Sequence, residues 1–323
     1  MRILVTGCAG FIGFHLCNKL LKGGNNVIGI DNMNAYYDVE LKKARLKILK
    51  EKKNFIFKKL DIKNFNKLNR FVKNYNPIII INFAAQAGVR YSFKNPRAYI
   101  DSNIKGFMNI LDVAKLINCK KIIYASSSSV YGENKITPFK ENHSTDTPKQ
   151  IYSISKKTNE YMAKVYSKYY NLNCIGLRFF TVYGPFGRPD MALFKFVKSI
   201  FTNKKINLFN FGNHNRDFTY IDDVIEAVVL IINQLKKDET TRVAKIYNIS
   251  RGKREKLSDF LKHIEKNIGK IAKKKLLPIQ DGDMESTEGS ILKIKKDYGF
   301  SPKVQMAEGI KKFVKWYRDF YEI

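Results

Sequence analysis

Arg2-Ile3-Leu4-Val5-Thr6-Gly7-Cys8-Ala9-Gly10-Phe11-Ile12-Gly13 opens the chain and reads as a buried strand, a glycine turn and the first turn of a helix. Ile12, Leu16 and Leu20 then recur at four-residue spacing and stop at Gly23-Gly24, a C-terminal cap signal. Gly7, Gly10 and Gly13 stand three residues apart across the junction. Glycine permits the tight turn, lets backbone N–H groups approach a pyrophosphate, and lets the helix pack close to the sheet. A glycine turn without a ligand is the plainer reading. Its position inside a first βαβ unit favours a dinucleotide instead, held by Gly7, Gly10, Phe11, Ile12 and Gly13.

Further short apolar runs alternate with helical stretches. Val27-Asp31, Phe55-Leu60, Ile78-Phe83, Lys121-Ser126 and Cys174-Phe180 read as strands, and Phe107, Ile110, Leu111 and Ala114 form a helical stripe between two of them. Repeated βα units imply a parallel sheet covered by helices on both faces. Right-handed crossovers make this an α/β, doubly wound parallel sheet of Rossmann type, with ligands at the carboxyl ends of its strands. After Phe180 the pattern loosens through Gly184, Pro185, Gly187 and Pro189, and a helical run from Met191 to Thr202 follows. Residues 1–180, rejoined by 212–250, are expected to form the dinucleotide domain, with a smaller discontinuous C-terminal lobe from 181–211 and 251–323.

Asp31 ends the second strand, where a carboxylate accepts from adenosine ribose hydroxyls and repels a 2′-phosphate. No arginine follows in Asn32-Met33-Asn34, so NAD is favoured over NADP. Asp61-Ile62, past the third strand, either borders the adenine or begins an ordinary helix cap.

With 323 residues the chain can bury a full core of one large or two intimate domains. The net charge of +30 suggests an anionic partner. The lysines nevertheless come as scattered pairs such as Lys42-Lys43 and Lys120-Lys121, with Lys273-Lys274-Lys275 the longest run, and no basic segment interleaves aromatics as nucleic-acid motifs do. Neither nucleic acid nor a membrane is expected as partner; an anionic small substrate is. Cys8, Cys17, Cys119 and Cys174 are isolated, and the four histidines lack ligand spacing, so no metal is expected and the thiols imply a cytoplasmic address. No signal peptide is expected, since Arg2 to Thr6 already reads as a buried strand, and apolar runs such as Val228–Ile232 are too short to cross a bilayer.

Ser126, Ser127, Ser128 and Ser129 close the fifth apolar run and lead into Val130-Tyr131-Gly132. Downstream lies Tyr152-Ser153-Ile154-Ser155-Lys156. A second Tyr-x-x-x-Lys pair, Tyr131 and Lys135, sits beside Gly132 in a loop, where four-residue spacing has no geometric meaning. Tyr152 opens a helical stretch, so Lys156 follows it on the same face one turn on. Free tyrosine, with a pKa of about 10, is a poor base at neutral pH; a nearby ammonium stabilises its phenolate. Ser127 is suited to bond the substrate oxygen.

This constellation of Ser127, Tyr152, Lys156 and the glycine turn resembles the extended short-chain dehydrogenase/reductase family along nearly the whole chain. On that likeness Asn103 is the family's structural asparagine, while Ala84-Ala85-Gln86 and Phe179 pass the cofactor. Dehydratases of this kind carry Asp-Glu just before Val-Tyr-Gly, and nucleotide-glucuronate decarboxylases carry Glu; here those places hold Ser128 and Ser129. With no acid to eliminate water, return of the hydride to the opposite face is the simplest outcome, which is epimerisation. Ala84 to Ser92 and Arg178 to Met191 are similar to segments of UDP-glucuronate 4-epimerases, whereas galactose epimerases carry Asn where Thr181 stands. The resemblance implies a UDP-sugar 4-epimerase, with UDP-glucuronate foremost. A UDP-N-acetylhexosamine or its uronic acid, or decarboxylation of UDP-glucuronate, is the alternative.

Thr181 and Arg188 are the candidate clamp on a sugar carboxylate, set against the plainer reading of Arg188 as a loop salt bridge. Ser128 is a further substrate candidate. Arg90 suits pyrophosphate contact or packing, Arg216 falls in a segment resembling the family's phosphate-contacting one, and Asp283 lies in a turn related to a uridine-adjacent one. Apolar residues on more than one face between Tyr152 and Tyr170 match the family's homodimer bundle, or burial within one subunit.

Overall fold

A computed structural model describes residues 1–237 and 242–323. In chain order the elements are β1 (Arg2–Thr6), α1 (Phe11–Lys22), β2 (Asn26–Asp31), α2 (Val39–Lys50), β3 (Phe55–Lys59), α3 (Phe65–Tyr75), β4 (Ile79–Asn82), the short α4 (Tyr91–Lys94) and α5 (Pro96–Tyr99), a π turn (Ile100–Lys105), α6 (Gly106–Leu116), β5 (Lys121–Ser127), α7 (Ile151–Tyr170) and β6 (Asn173–Phe179). There follow β7 (Thr181–Tyr183), α8 (Ala192–Phe201), β8 (Ile206–Leu208), β9 (Asn215–Arg216), β10 (Phe218–Tyr220), α9 (Ile221–Lys237), β11 (Val243–Ile249), β12 (Glu255–Lys256), α10 (Leu257–Ile268), β13 (Lys274–Leu276), α11 (Leu292–Tyr298) and α12 (Met306–Tyr321).

The seven-stranded sheet runs β11-β6-β5-β4-β1-β2-β3. Every pair from β6 to β3 is parallel, as in Leu4 opposite Ile28 and Ile80, or Ser127 opposite Phe179. Parallel strands are covered on both faces, so their sequences are near-continuously apolar; β4 and β6 are buried throughout. At the edge, β3 ends instead in the exposed Lys58-Lys59, which blunts pairing with another chain. Leu4, Ile28, Ile80, Ile122 and Cys174 meet Leu68 and Val72 of α3, Phe107, Ile110 and Leu111 of α6, and Ala163 of α7 in one cluster. The chain reverses between β1 and β4, and this crossover opens the crevice in which doubly wound sheets take ligands.

The chain divides into two compact units. Met1–Asn134, His143–Phe179 and Ala227–Tyr247 form the first; Lys135–Asn142, Phe180–Glu226 and Asn248–Ile323 form the second. The second is built from the two-stranded pairs β10-β7, β12-β9 and β13-β8 with α8, α10 and α12. Its core is aromatic: Phe218 stacks on Phe260 at 4.1 Å, and Phe194 meets Tyr317 edge-on at 5.3 Å. No helix among the described residues is long and apolar enough to cross a membrane.

Candidate active site

Gly7 adopts φ +71°, and its N–H donates to Ile30 O at 2.7 Å, which draws the turn after β1 over the end of β2. A Cβ at Gly7 would lie 2.7 Å from Ala84 N and 2.8 Å from the Phe83 carbonyl carbon. A Cβ at Gly13 would lie 2.1 Å from Gly7 O. Gly10 N donates to Gly7 O at 2.9 Å and caps α1 with no side-chain acceptor, leaving the helix N-terminus suited to an anion. The glycines therefore let the turn pack directly on the 83–84 backbone and bring the start of α1 close to β1. Phe11 and Ile12 are the first helical residues, and Phe11 is buried.

Asp31 accepts from Ala9 N at 3.1 Å on one oxygen and from Met33 N at 2.8 Å on the other. Each carboxylate oxygen has a second lone pair for a ribose hydroxyl. Asn32 donates to Asp61 at 3.0 Å, and the other Asp61 oxygen accepts from Lys63 N at 2.9 Å. The cap of α3 is Asn64, which accepts from Lys67 N, so Asp61 is not the helix cap. A cavity of about 870 Å³ beside these residues is lined by Asn32, Lys58, Lys59, Leu60 and Asp61 among others. Ile62 is buried, and its carbonyl accepts from Asn109 of α6 at 2.8 Å, which fixes the loop behind that cavity.

Two cations escape the sequence reading. Arg45, fully buried on α2, donates to Ala9 O at 2.8 Å and to Tyr37 at 2.8 Å. Lys42 donates to both the carbonyl and side-chain oxygens of Asn34 at 2.8 Å. Burial lowers the Lys42 pKa, opposed by Asp31 and reinforced by Arg45. Their signal is visible in retrospect: they share the buried stripe of α2 with Leu41, Leu46 and Leu49.

Gln150 and Ser153 form a capping box that starts α7 one residue before Tyr152. The Tyr152 ring meets Tyr99 edge-on at 5.8 Å, and Tyr99 donates in turn to the carbonyls of Ala87 and Gly88. Lys156 is 3% exposed and donates to Ala125 O at 2.8 Å, two residues before Ser127. Burial pushes its pKa down to about 7. Ser127 is buried and accepts from Ser129 N at 3.2 Å; Ser128 begins the 3-10 turn Ser128–Tyr131 and is half-buried. Tyr131 is fully buried, so the competing Tyr-x-x-x-Lys pair offers no solvent-facing phenol.

Asn103, in the π turn, exchanges hydrogen bonds with the backbone of Gln86 at 2.8 and 3.0 Å and donates to Ser155 at 2.9 Å. Ala84 N donates to Thr6 Oγ1 at 3.1 Å. Ala85 lies between these two anchors. Phe179 meets Phe83 edge-on at 5.6 Å. The glycine turn, the 84–86 segment, the end of β5 and the start of α7 are thus linked by specific bonds within the first unit. Arg90 is exposed just before α4.

In the second unit Thr181 pairs with Phe218 across β7 and β10, its N–H donating to Asp217 O at 3.3 Å. Arg188 forms a two-pronged pair with Asp190, Nε to Oδ1 at 2.9 Å and Nη2 to Oδ2 at 2.5 Å. Phe186, at φ +55°, anchors the same loop by its ring on Trp316 at 5.0 Å. Arg216 donates to the carbonyls of Asn215 and Glu285 at 3.0 Å each. Asp283 N donates to Gln280 O at 3.1 Å around Gly282. Asp217, unmarked in the sequence reading, is fully buried and accepts from the N–H groups of Arg251, Gly252 and Gly289; burial raises its pKa to about 6.

The family described as GDP-mannose 4,6 dehydratase matches residues 4–313. The chain belongs to that family. It is thereby an extended short-chain dehydrogenase/reductase. Among its relatives, Protein CapI of Staphylococcus aureus is 46% identical over the whole of both chains. A probable UDP-glucuronate 4-epimerase of Rhizobium meliloti is 41% identical, covering 99% of this chain and 98% of the relative. The solved UDP-glucuronic acid 4-epimerase of Bacillus cereus, in complex with UDP-glucuronic acid and NAD, superposes with a TM-score of 0.92 at 33% identity, covering 99% of this chain and 100% of that one.

Proposed function

We propose that this chain interconverts UDP-glucuronate and UDP-galacturonate as an NAD-dependent 4-epimerase. The observation that carries the reading is Lys156, docked on the Ala125 carbonyl one helical turn from Tyr152, beside a strand end that has serines where dehydratases have an acid pair. The relatives named above support the same substrate.

The residues present fit NAD. Gly7, Gly10 and Gly13 let the turn after β1 pack against its own backbone, the start of α1 has no side-chain cap and would receive the pyrophosphate, and Asp31 would bond the ribose hydroxyls. NAD, when bound, accepts the C4 hydride and gives it back. Tyr152 takes the 4-hydroxyl proton and later returns it, Lys156 stabilises the phenolate, and Ser127 bonds the C4 oxygen through both transfers. Asn103 fixes Gln86 and Ser155, so the loop beside the cofactor and the base helix keep one register.

Oxidation at C4 of a uronate gives a β-keto acid, which loses CO₂ when its carboxylate turns perpendicular to the ketone. Thr181 and Arg188 are the groups proposed to hold that carboxylate, with Arg216 and Asp283 on the nucleotide side and Arg90 and Ser128 as further contacts. In this proposal the first compact unit is the NAD domain and the second the nucleotide-sugar lobe. The four buried, unpaired thiols suit a reducing cytoplasm. Ile154, Tyr161, Val165 and Tyr169, all exposed on α7, are proposed to bury a homodimer interface.

Incubating the protein with UDP-glucuronate and no added NAD tests the reading. UDP-galacturonate is the expected product; UDP-xylose or no conversion would overturn it.

A further inference from the structure

A buried ion pair lies beneath the proposed base. Glu160 follows Lys156 by one helical turn and Tyr152 by two, so all three share a face of α7. Arg178 on β6 grips Glu160 through Nε to Oε1 at 2.8 Å and Nη2 to Oε2 at 2.8 Å. Both side chains are nearly inaccessible, at 3% and 4% exposed. Ser126 Oγ donates to the same Oε1 at 2.7 Å. The Arg178 guanidinium also lies over the ring of Tyr131, 4.8 Å from its centroid.

Register explains the convergence. Ser126 stands directly opposite Arg178 across β5 and β6, and Ser127 opposite Phe179. Alternation along a strand places Ser126 and Arg178 on the α7 side of the sheet, and Ser127 and Phe179 on the other. The last three residues of β5 are therefore tied to α7 twice, through Ala125 O to Lys156 and through Ser126 Oγ to Glu160. The helix face that carries the proposed base is joined to the strand end that carries Ser127 by directional bonds rather than by apolar packing.

Stability alone does not require such a pair. The desolvation cost of burying two charges offsets most of their attraction, and apolar residues of similar volume often serve as well. A directional pair supplies what apolar packing lacks, a fixed orientation of the strand end.

We infer that Glu160 is a positioning residue: held by Arg178, it fixes the end of β5 through Ser126 and so sets Ser127 in register with the Tyr152–Lys156 face of α7. The inference rests on the proposed epimerase reading and adds to it a residue that touches neither sugar nor cofactor. Because proton and hydride transfer depend steeply on geometry, loosening this bond lowers kcat and leaves KM unchanged.

Ser126→Ala cuts only the strand end from the carboxylate. Glu160→Leu with Arg178→Met replaces the pair by apolar volume. With UDP-glucuronate, each variant is expected to fold, to retain bound NAD, and to lose about tenfold or more in kcat at constant KM, as small displacements near reacting atoms do. Amide exchange across residues 125–131 of the NAD-bound protein should quicken in both. Wild-type kcat in Ser126→Ala, or a rise in KM matching the loss in kcat, overturns the inference. If the double variant fails to fold, Ser126→Ala decides it alone. If the wild-type protein does not turn over UDP-glucuronate, the epimerase reading fails separately, and unchanged exchange across 125–131 in Ser126→Ala still overturns the clamp.

Discussion

Lys156 reaches from α7 to the carbonyl of Ala125 at the end of β5, a contact of 2.8 Å in which a cation meets a neutral dipole. Burial alone pushes the lysine down to about 7. The group is thus held near the point at which it changes charge at physiological pH. A positively charged nicotinamide nearby would add to that poise, and a phenolate at Tyr152 would oppose it.

In the folded protein Lys156 titrates at about 7, below the ordinary lysine value of 10.5. The unfolded chain therefore binds the proton more strongly over that window, and the buried lysine costs most below pH 7. Lys156→Met should raise Tm most at pH 6, with the gain shrinking as pH rises from 7 towards 10.5, while epimerisation is lost. Thermal unfolding at several pH values checks this. A gain that stayed constant or grew with pH would contradict it.

Gly13→Ala tests the turn after β1. Its new methyl would sit 2.1 Å from Gly7 O, a backbone atom that cannot rotate aside. Either α1 moves off the sheet or the turn opens, and both displace the groups that face a pyrophosphate. The purified variant should carry little NAD and melt several degrees lower, consistent with a loss of about 1–3 kcal/mol from overpacking. Absorbance of the released cofactor and a melting curve measure the two effects. A variant with wild-type cofactor content would show that the close approach is dispensable.

The fold is highly legible because parallel strands are apolar throughout and glycine turns have strict spatial demands. β1 runs over Arg2–Thr6 as the sequence predicts; β2, β3 and β5 differ from expectation by one residue at one end, and β4 and β6 by one residue at each end. Tyr152 stands out from Tyr131 because only Tyr152 has a helix to give four-residue spacing a meaning. What the sequence hides is polarity on buried faces. Arg45, Glu160, Arg178 and Asp217 are ordinary charged residues in the sequence, and each has partners 18 to 72 positions away that no local pattern shows. Lys42 and Glu160 occupy buried positions on the inner stripes of α2 and α7, the trace that periodicity could have exposed.

Arg188→Ala addresses the uronate carboxylate. Both Nε and Nη2 of Arg188 are engaged by Asp190. Exchange of one carboxylate for another preserves charge pairing, so a uronate competes for this fork better than a neutral hexose does. Removing the guanidinium should raise KM for UDP-glucuronate about tenfold or more, the scale of a lost charge-assisted hydrogen bond. A UDP-pentose should also appear, because the 4-keto uronate is freer to lose CO₂. Unchanged affinity with no pentose product would reject the role.

The exposed stripe of α7 predicts an assembly. Tyr161, Val165 and Tyr169 are 54%, 51% and 66% exposed and recur at four-residue spacing, with Met108 and Leu116 of α6 also exposed. Such a stripe on a helix is suited to pairing with a second copy of itself. Val165→Lys with Tyr169→Glu should convert a dimer to a monomer in sedimentation or light scattering. A wild-type protein that is monomeric at micromolar concentration would sink the proposal.

Asp31 should decide the cofactor. Its oxygens hold Ala9 N and Met33 N, so the carboxylate is fixed at the end of β2, where a 2′-phosphate would bring a second negative charge beside it. The cavity next to it is lined by Lys58 and Lys59, which would welcome that phosphate once the repulsion is gone. Asp31→Asn keeps an acceptor and a similar volume but loses the charge. It should weaken NAD by losing charge-assisted ribose bonds and improve NADP, narrowing the NAD preference about tenfold or more, a change of about 1.4 kcal/mol. Titration of the cofactor-stripped protein with each dinucleotide reads both affinities. An unaltered preference would mean that discrimination lies elsewhere, with Lys58 and Lys59 too distant from the ribose to matter.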